Sequence, residues 1–587
     1  MCYVLQMRDS FPPFAFVLVA CVVTAYLCWP GAHSPLVLDD ISNLKPITNN
    51  SIDAYLSFVF GNESGPTGRP VSMLSFASNH ALNGDYVVPN LKATNLFIHV
   101  VCGILVFLVA RKLFEHAGAS QNKNLLASLV ACMWIINPLN THLCFYVIQR
   151  MTQLSCLFVL LGVLAFFKAR TAGLSHEKRI AWLIAVFVCW FLAVFSKENA
   201  LLFPLYILVI ETYFISAGAD SFRLRRITGL VILLGALSAI IALTLNVFDY
   251  SSRPFSAAER IYTQPVVLIE YVRELLIPTR ADVGVFQDDY NIQESFLNFS
   301  TPVSFAVILG AILFSLFGPI STKLQPVFGG ILLFFAGHAI ESTVIPLELY
   351  FQHRNYFPSI GIFIALVAAA NYAIQSQRMR PVIVLCAIAH AGLSLYFTSR
   401  TAEAWESYPQ LVVNAYENHP TSVRASASMV DLLTRAGQID NALLVNASAI
   451  NNNPGSALII TAQRFYVHCV AQRKPLDADY EYLNAEIKPL NFIELSTALN
   501  NLYTRAETEP CQLIDFNRVT EKIAHRHDEA IRKGTLMPNQ SWSINYYLID
   551  YYRRTDQHEL MRARLRDALA LGVTEAQFYR DEFRIEI

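Results

Sequence analysis

The sequence predicts an all-α, polytopic membrane protein with a separate helical region at its C-terminal end. Three observations carry that prediction. Hydrophobic residues make up 54% of the 587-residue chain and charged residues only 15%, where soluble domains carry about a quarter. Long apolar runs recur from residue 12 to residue 397 and then stop. Aromatics reach 12%, with 39 Phe and 26 Tyr, which suits packed membrane helices with interfacial rings. Net charge is −1, so nothing in the overall balance points to nucleic acid.

A transmembrane helix needs about 20 mainly apolar residues. About eleven stretches are candidates, near 12–30, 91–110, 124–138, 144–168, 180–195, 199–216, 227–247, 302–317, 325–340, 357–375 and 380–397. Pro30-Gly31 follows the first run in place of a small-residue cleavage site, so it reads as a retained helix. Arg8, Arg111-Lys112 with Lys123, Lys168 and Arg170, Lys178-Arg179, Arg223 to Arg226, Lys323 and Arg378 to Arg380 then share one side. That side is cytoplasmic by the positive-inside rule. The exported face receives 31–90, 139–146, 195–199, 248–301, 341–356 and everything after 398. The expected domains are therefore 1–398 in the membrane and 399–587 outside it, with interfacial helices in loops 31–90 and 248–301.

Beyond about residue 400 amphipathic helical patterns rich in Asn, Arg and Asp take over. Pro420 and Pro454 lie one tetratricopeptide period apart, about 34 residues. Between them Ala442 and Ala449 hold small-residue positions and Gly437 starts a turn, although Val430 stands where the repeat prefers Gly or Ala. Further helices are expected over 457–471, 477–505, 511–533 and 541–571. Most of the 11 cysteines sit inside apolar runs, without metal-ligand spacing. Cys469 and Cys511 lie in the exported part, either as a disulfide in an oxidising compartment or as two free thiols.

Charged residues against membrane segments are functional candidates by default. Asp39-Asp40 follows the first apolar run, and the same loop carries Glu63 and Gly68-Arg69-Pro70. Locally an Asp pair reads as a helix cap. That reading leaves Arg69, and Asn95 with His99 at i and i+4 of the second helix, without an explanation. Arg150, after Asn137-Pro138-Leu139-Asn140-Thr141-His142, either snorkels to headgroups or grips a lipid phosphate with its guanidinium fork. Ser196-Lys197-Glu198-Asn199 is either a neutralised hairpin turn or a phosphate contact that Glu198 orients. Glu341-Ser342-Thr343 and His353-Arg354-Asn355-Tyr356 read as a phosphate-binding rim. Asp288-Asp289 either binds an acceptor or is solvated, with solvation favoured, and the stretch 259–276 reads as an amphipathic interfacial helix.

Taken in order, Asp39-Asp40, Arg69-Pro70, Asn95-x-x-x-His99, Ser196-Lys197-Glu198-Asn199 and His353-Arg354-Asn355-Tyr356 resemble the multi-pass GT-C glycosyltransferases. The likeness is to the transmembrane and tetratricopeptide-repeat O-mannosyltransferases and their bacterial relatives. It covers about residues 10–400 and extends more weakly into the repeats. The resemblance implies a GT-C fold, a sugar donor on a polyprenyl phosphate, and an exported protein or glycan as acceptor, met through the repeat-like domain. An acid of the first loop would be the general base, Asp40 or Asp39, with Asp40 favoured. Lys197, Arg354, Arg150, Arg69 and His353 would hold the donor phosphate, supported by Glu198, Asn95, His99, His142, Asn355 and Glu341. In place of the His-x-x-His-like element of some relatives this chain has only His142. The short helical tail suggests a bacterial inner-membrane member acting on the periplasmic face, with mannose, arabinofuranose or another sugar going, for example, to a pilin.

An acid pair has the oxygen chemistry for Mg²⁺ or Mn²⁺, but a lipid-monophosphate leaving group does not demand a metal. Two other classes compete: a glycan ligase or polymerase using lipid diphosphates, and a transporter or assembly scaffold. Against the transporter, the polar clusters hug one membrane face and no internal repeat symmetry is visible.

Overall fold

A computed structural model describes residues 13–587, apart from 48, 120, 217, 246, 251–252, 280–281, 283, 319–320, 322, 485–498, 500–501, 503–510, 512, 535–541, 571–575, 578–579 and 582–587. Arg8 and most of the helix expected over 477–505 lie outside the described residues. All regular structure among the described residues is helical.

Each expected apolar run carries a helix, from Phe14–Cys28 to Arg380–Ala404. Six spans are long and apolar enough to cross a membrane: Val88–His116, Val147–Ala169, Glu198–Ile215, Asp220–Thr244, Ser300–Phe317 and Arg380–Ala404. A seventh arises if Lys123–Ile136 and Pro138–Cys144, bent by 60°, act together. The bend sits where Pro138 starts a new turn and the Asn137 side chain caps the Leu139 N–H at 3.1 Å. Phe14–Cys28, Gln325–Gly337 and Ser359–Ala373 are shorter. Fifteen helical residues reach about 22 Å against about 30 Å of hydrocarbon. The helix over 180–195 begins one turn early at His176, which brings Glu177, Lys178 and Arg179 into it.

The helices share an apolar core running from Val17 to Ala368. Gly330 and Gly361 allow Gln325–Gly337 and Ser359–Ala373 to meet backbone to backbone: a Cβ on Gly330 would lie 2.4 Å from the Gly361 carbonyl oxygen. Asp220–Thr244 is strongly apolar yet almost none of its apolar stretch is buried. That is the surface of a helix facing lipid.

The chain divides into two units. The first runs up to Phe248 and includes Ser256–Val285 and Tyr290–Leu411; the second takes Asp249–Phe255, Phe286–Asp289 and everything from Val412. The expected boundary at 398/399 falls inside the helix Arg380–Ala404, whose last turns bury Thr398, Thr401 and Ala402. In the second unit Val423–Arg435 packs on Ile439–Asn452, and Ala457–Val470 packs on both. Ala442, Ala449 and Val430 are buried, and Gly437 takes the positive φ (73°) that its turn requires. The helix expected over 541–571 is two, Trp542–Arg554 and His558–Ala570, broken where Asp556 adopts φ 57°. Cys469 and Cys511 are joined as a disulfide. Asp288 and Asp289 are not merely solvated. Asp288 accepts from Ser422 Oγ (2.5 Å) and the Arg424 N–H (3.3 Å), and Asp289 accepts from Thr421 (3.0 Å) and pairs with His419 (2.8 Å).

Candidate active site

The two acids of the first loop have opposite surroundings. Both belong to the short helix Asp39–Asn43, entered through Leu38 at φ 44°. The Asp40 carboxylate is fully buried and accepts the N–H groups of Ile148 (2.7 Å) and Val37 (3.2 Å). Burial pushes it up to about 7, against those N–H bonds and the nearby Lys92 charge. It caps no helix of its own; it ties the loop to the turn 147–149. Asp39 is exposed, and its backbone N–H donates to the Tyr146 hydroxyl (3.4 Å).

Next along the same turn lie the cations. Arg69, held at φ 50° before Pro70, grips Glu198 with Nε (3.0 Å) and Nη2 (2.8 Å), and its Nη1 lies 3.3 Å from Met151 Sδ. Thr67 Oγ1 adds a bond to Glu198 (2.9 Å). Gly65 closes over the pair; a Cβ there would meet Arg69 Nη2 at 2.6 Å. The loop is docked on the hairpin 195–198 by Val71 N–H to the Phe195 carbonyl (3.2 Å) and Ser72 Oγ to the Ser196 carbonyl (3.0 Å). Lys197 is buried, donates to Thr152 Oγ1 (2.9 Å) and lies 3.7 Å from Glu341 Oε1. Burial lowers its proton affinity and Glu341 partly restores it.

His353 and Arg354 complete this group. Arg354 donates to the carbonyls of Glu348 (2.7 Å) and Leu349 (3.1 Å). His353 stacks on Phe351, and burial together with the charges of Lys197, Arg354, His142 and Arg69 holds it well below its usual value. Asn355 donates to the Gln352 carbonyl (3.3 Å) beneath them.

Other expected site residues serve packing. Arg150 is fully buried and spends its donors on neutral acceptors: Asn79 Oδ1 (2.6 Å), Asn95 Oδ1 (2.7 Å), and the carbonyls of Leu91 (2.7 Å) and Ser75 (3.2 Å). It neither snorkels nor presents a fork to a ligand. Asn95 also donates to the Leu143 and Val147 carbonyls (both 3.1 Å), and His99 bridges the Tyr356 hydroxyl (2.9 Å) and the Ile135 carbonyl (3.1 Å) in the helix core. His142 is buried beside Gly284, whose Cβ would meet its ring at 3.0 Å.

Sequence reasoning missed Lys92, Thr152 and Tyr271. Lys92 is buried under Trp405 and donates to the Ser34 carbonyl (2.9 Å) and the Ser34 hydroxyl. A lysine near the start of a long apolar helix was the available signal. Thr152 and Tyr271 gave none, because hydroxyls on helices are common. Among the described residues no group of His, Cys, Asp and Glu is arranged to hold a metal ion. The acid pair is split between a buried Asp40 and an exposed Asp39, and backbone N–H groups bind both Asp40 oxygens.

Against this geometry the comparisons add one relation. No protein-family model and no solved structure matches the chain. A mouse protein, Protein O-mannosyl-transferase TMTC4, is 29% identical over a 175-residue alignment that covers 27% of this chain. The match spans 24% of the mouse protein's length. The chain is thus a multi-pass membrane protein distantly related, over part of its length, to an O-mannosyltransferase.

Proposed function

We propose that the chain transfers a sugar from a polyprenyl phosphate to a hydroxyl of an exported protein, in the manner of the O-mannosyltransferases. One observation carries this reading: the segment 146–152, at the start of the span Val147–Ala169, touches an exposed acid and two cations. Tyr146 touches Asp39, Met151 touches Arg69, and Thr152 touches Lys197. A base, and charge to receive a phosphate, thereby belong to one short stretch.

In this reading Asp39, not the Asp40 that the sequence favours, takes the proton of the acceptor hydroxyl. Asp40 is enclosed and engaged by two N–H groups, so it positions the loop. The acceptor oxygen attacks the anomeric carbon as the carbon–oxygen bond to phosphate breaks, inverting configuration. The phosphate leaves with the electron pair toward Lys197, Arg354 and Arg69. An apolar groove of about 600 Å³, lined by Leu56, Val59, Phe60, Pro70, Leu74 and Phe195 among others, borders Arg69 and Lys197 in the chain. It suits the isoprenoid tail. The Cys469–Cys511 bridge supports an oxidising compartment for the second unit, such as the periplasm of a bacterial inner-membrane protein. The stacked helices from Val423 support a repeat-like acceptor surface, and the helices too short by length alone are read as further tilted or broken spans.

The test is transfer by purified full-length protein from a panel of polyprenyl-phosphate sugars to periplasmic extract. Label reaching a protein band, lost in Asp39→Asn, is the expected result. Absence of transfer from every donor would contradict the activity.

A further inference from the structure

The cation group contains buried polar atoms that the described residues leave without partners. Oε2 of Glu341 and Nδ1 of His353 are buried and have no hydrogen-bond partner among the described residues. Buried polar atoms normally do have one, so each such atom needs an explanation. The Glu341 carboxylate accepts only, and it sits 3.7 Å from Lys197 through its other oxygen. A phosphate drawn to Lys197 and Arg354 would repel it. Its natural complement is a hydroxyl that donates.

The scaffold around these atoms is fixed. His338, one turn before Ser342, hydrogen-bonds Ser342 (3.3 Å) and stacks on Tyr271. The Tyr271 hydroxyl accepts the Phe351 N–H (2.9 Å) and donates to the Phe351 carbonyl (3.0 Å), and Phe351 carries the His353 ring. The Arg260 guanidinium donates to the carbonyls of Glu341 (2.8 Å) and Thr343 (2.7 Å). The segments 338–343 and 351–354 are therefore held in place before any ligand arrives. His353 is kept neutral by burial and its cationic neighbours, so its ring nitrogen exchanges a hydrogen bond with a hydroxyl and does not add charge for a phosphate.

We infer that Glu341 and His353 form a seat for the ring hydroxyls of the sugar carried by the lipid phosphate, so that this site reads the sugar and not the lipid alone. The inference rests on the transferase reading above and assigns the sugar-recognising residues within it.

Affinities of full-length protein in detergent for undecaprenyl phosphate and for a panel of undecaprenyl-phosphate sugars separate the two ideas. Wild type should bind its best sugar-bearing lipid about tenfold or more tighter than the bare lipid phosphate, because the sugar satisfies otherwise unpaired buried groups. Glu341→Gln should bring that ratio toward one while bare undecaprenyl phosphate binds at least as well as to wild type, since Lys197 loses its carboxylate neighbour. Glu341→Asp, which keeps the charge, should retain part of the preference and serves if the Gln variant fails to fold. A wild type that prefers no sugar-bearing lipid, or an unchanged ratio in Glu341→Gln or an abolished one in Glu341→Asp, would overturn the inference. Failure of bare undecaprenyl phosphate to bind wild type would instead overturn the transferase reading.

Discussion

Two buried cationic regions of the membrane unit differ in how completely their polar atoms are matched. Around Arg150 each donor nitrogen meets an amide or carbonyl oxygen between 2.6 and 3.2 Å, all of them neutral. Around Lys197 the matching is incomplete: Glu341 lies at 3.7 Å, one of its oxygens is orphaned, and His353 has an unpartnered nitrogen. A buried charge that is fully satisfied locks helices together. A group left partly unsatisfied, at a cost of about 1–3 kcal/mol per polar atom, gains from a further partner. The difference sets Arg150 apart from Lys197 where residue type alone cannot.

Substitutions can break or sharpen this contrast. The largest effect is expected for Asp39→Asn, which should cut sugar transfer by about 10²–10⁴-fold, the usual range for a lost general base, with thermal stability unchanged. Arg150→Ala takes the guanidinium donor from the Asn79 and Asn95 side-chain oxygens and a second bond from two helical carbonyls, and should destabilise by about 2–6 kcal/mol, read as a lower unfolding midpoint in detergent. Lipid-phosphate affinity per folded molecule should not change. Cys469→Ser should cost about 2–4 kcal/mol, seen as earlier unfolding of the second unit, with lipid-phosphate binding intact. Asp40→Asn should cost about 1–3 kcal/mol by disturbing the N–H bonds from Val37 and Ile148. The wild type adds a pH signature. Asp40 ordinarily titrates at 3.8 and is raised to about 7 when folded. The folded state then holds the extra proton across that window, so stability falls as pH rises through it. Asp40→Asn should flatten that part of the stability profile.

Much of this arrangement was legible. Apolar runs located the helices, because burial in lipid leaves a compositional trace that survives without neighbours. Arg69, Lys197, Glu198, Glu341, His353 and Arg354 stood out as charges against such runs, and the structure gathers them. Residues that depend on partner matching were not legible. Arg150, Asn95 and His99 carry the same residue types as a phosphate site, and only their tertiary acceptors show them to be packing groups. The roles of Asp39 and Asp40 turn on a single helical step that buries one and exposes the other. Asp288 and Asp289 read as solvated because their partners, at 419–424, lie about 130 residues away in sequence.

The most direct test of the matched-versus-unmatched account is undecaprenyl-phosphate binding to full-length Lys197→Met and Arg150→Lys beside wild type. Both variants keep most of the apolar stem, so packing is largely preserved. The account predicts that Lys197→Met weakens binding about tenfold or more, while folded Arg150→Lys binds as wild type does. Equal binding by Lys197→Met and wild type, or equal losses in the two variants, would contradict it.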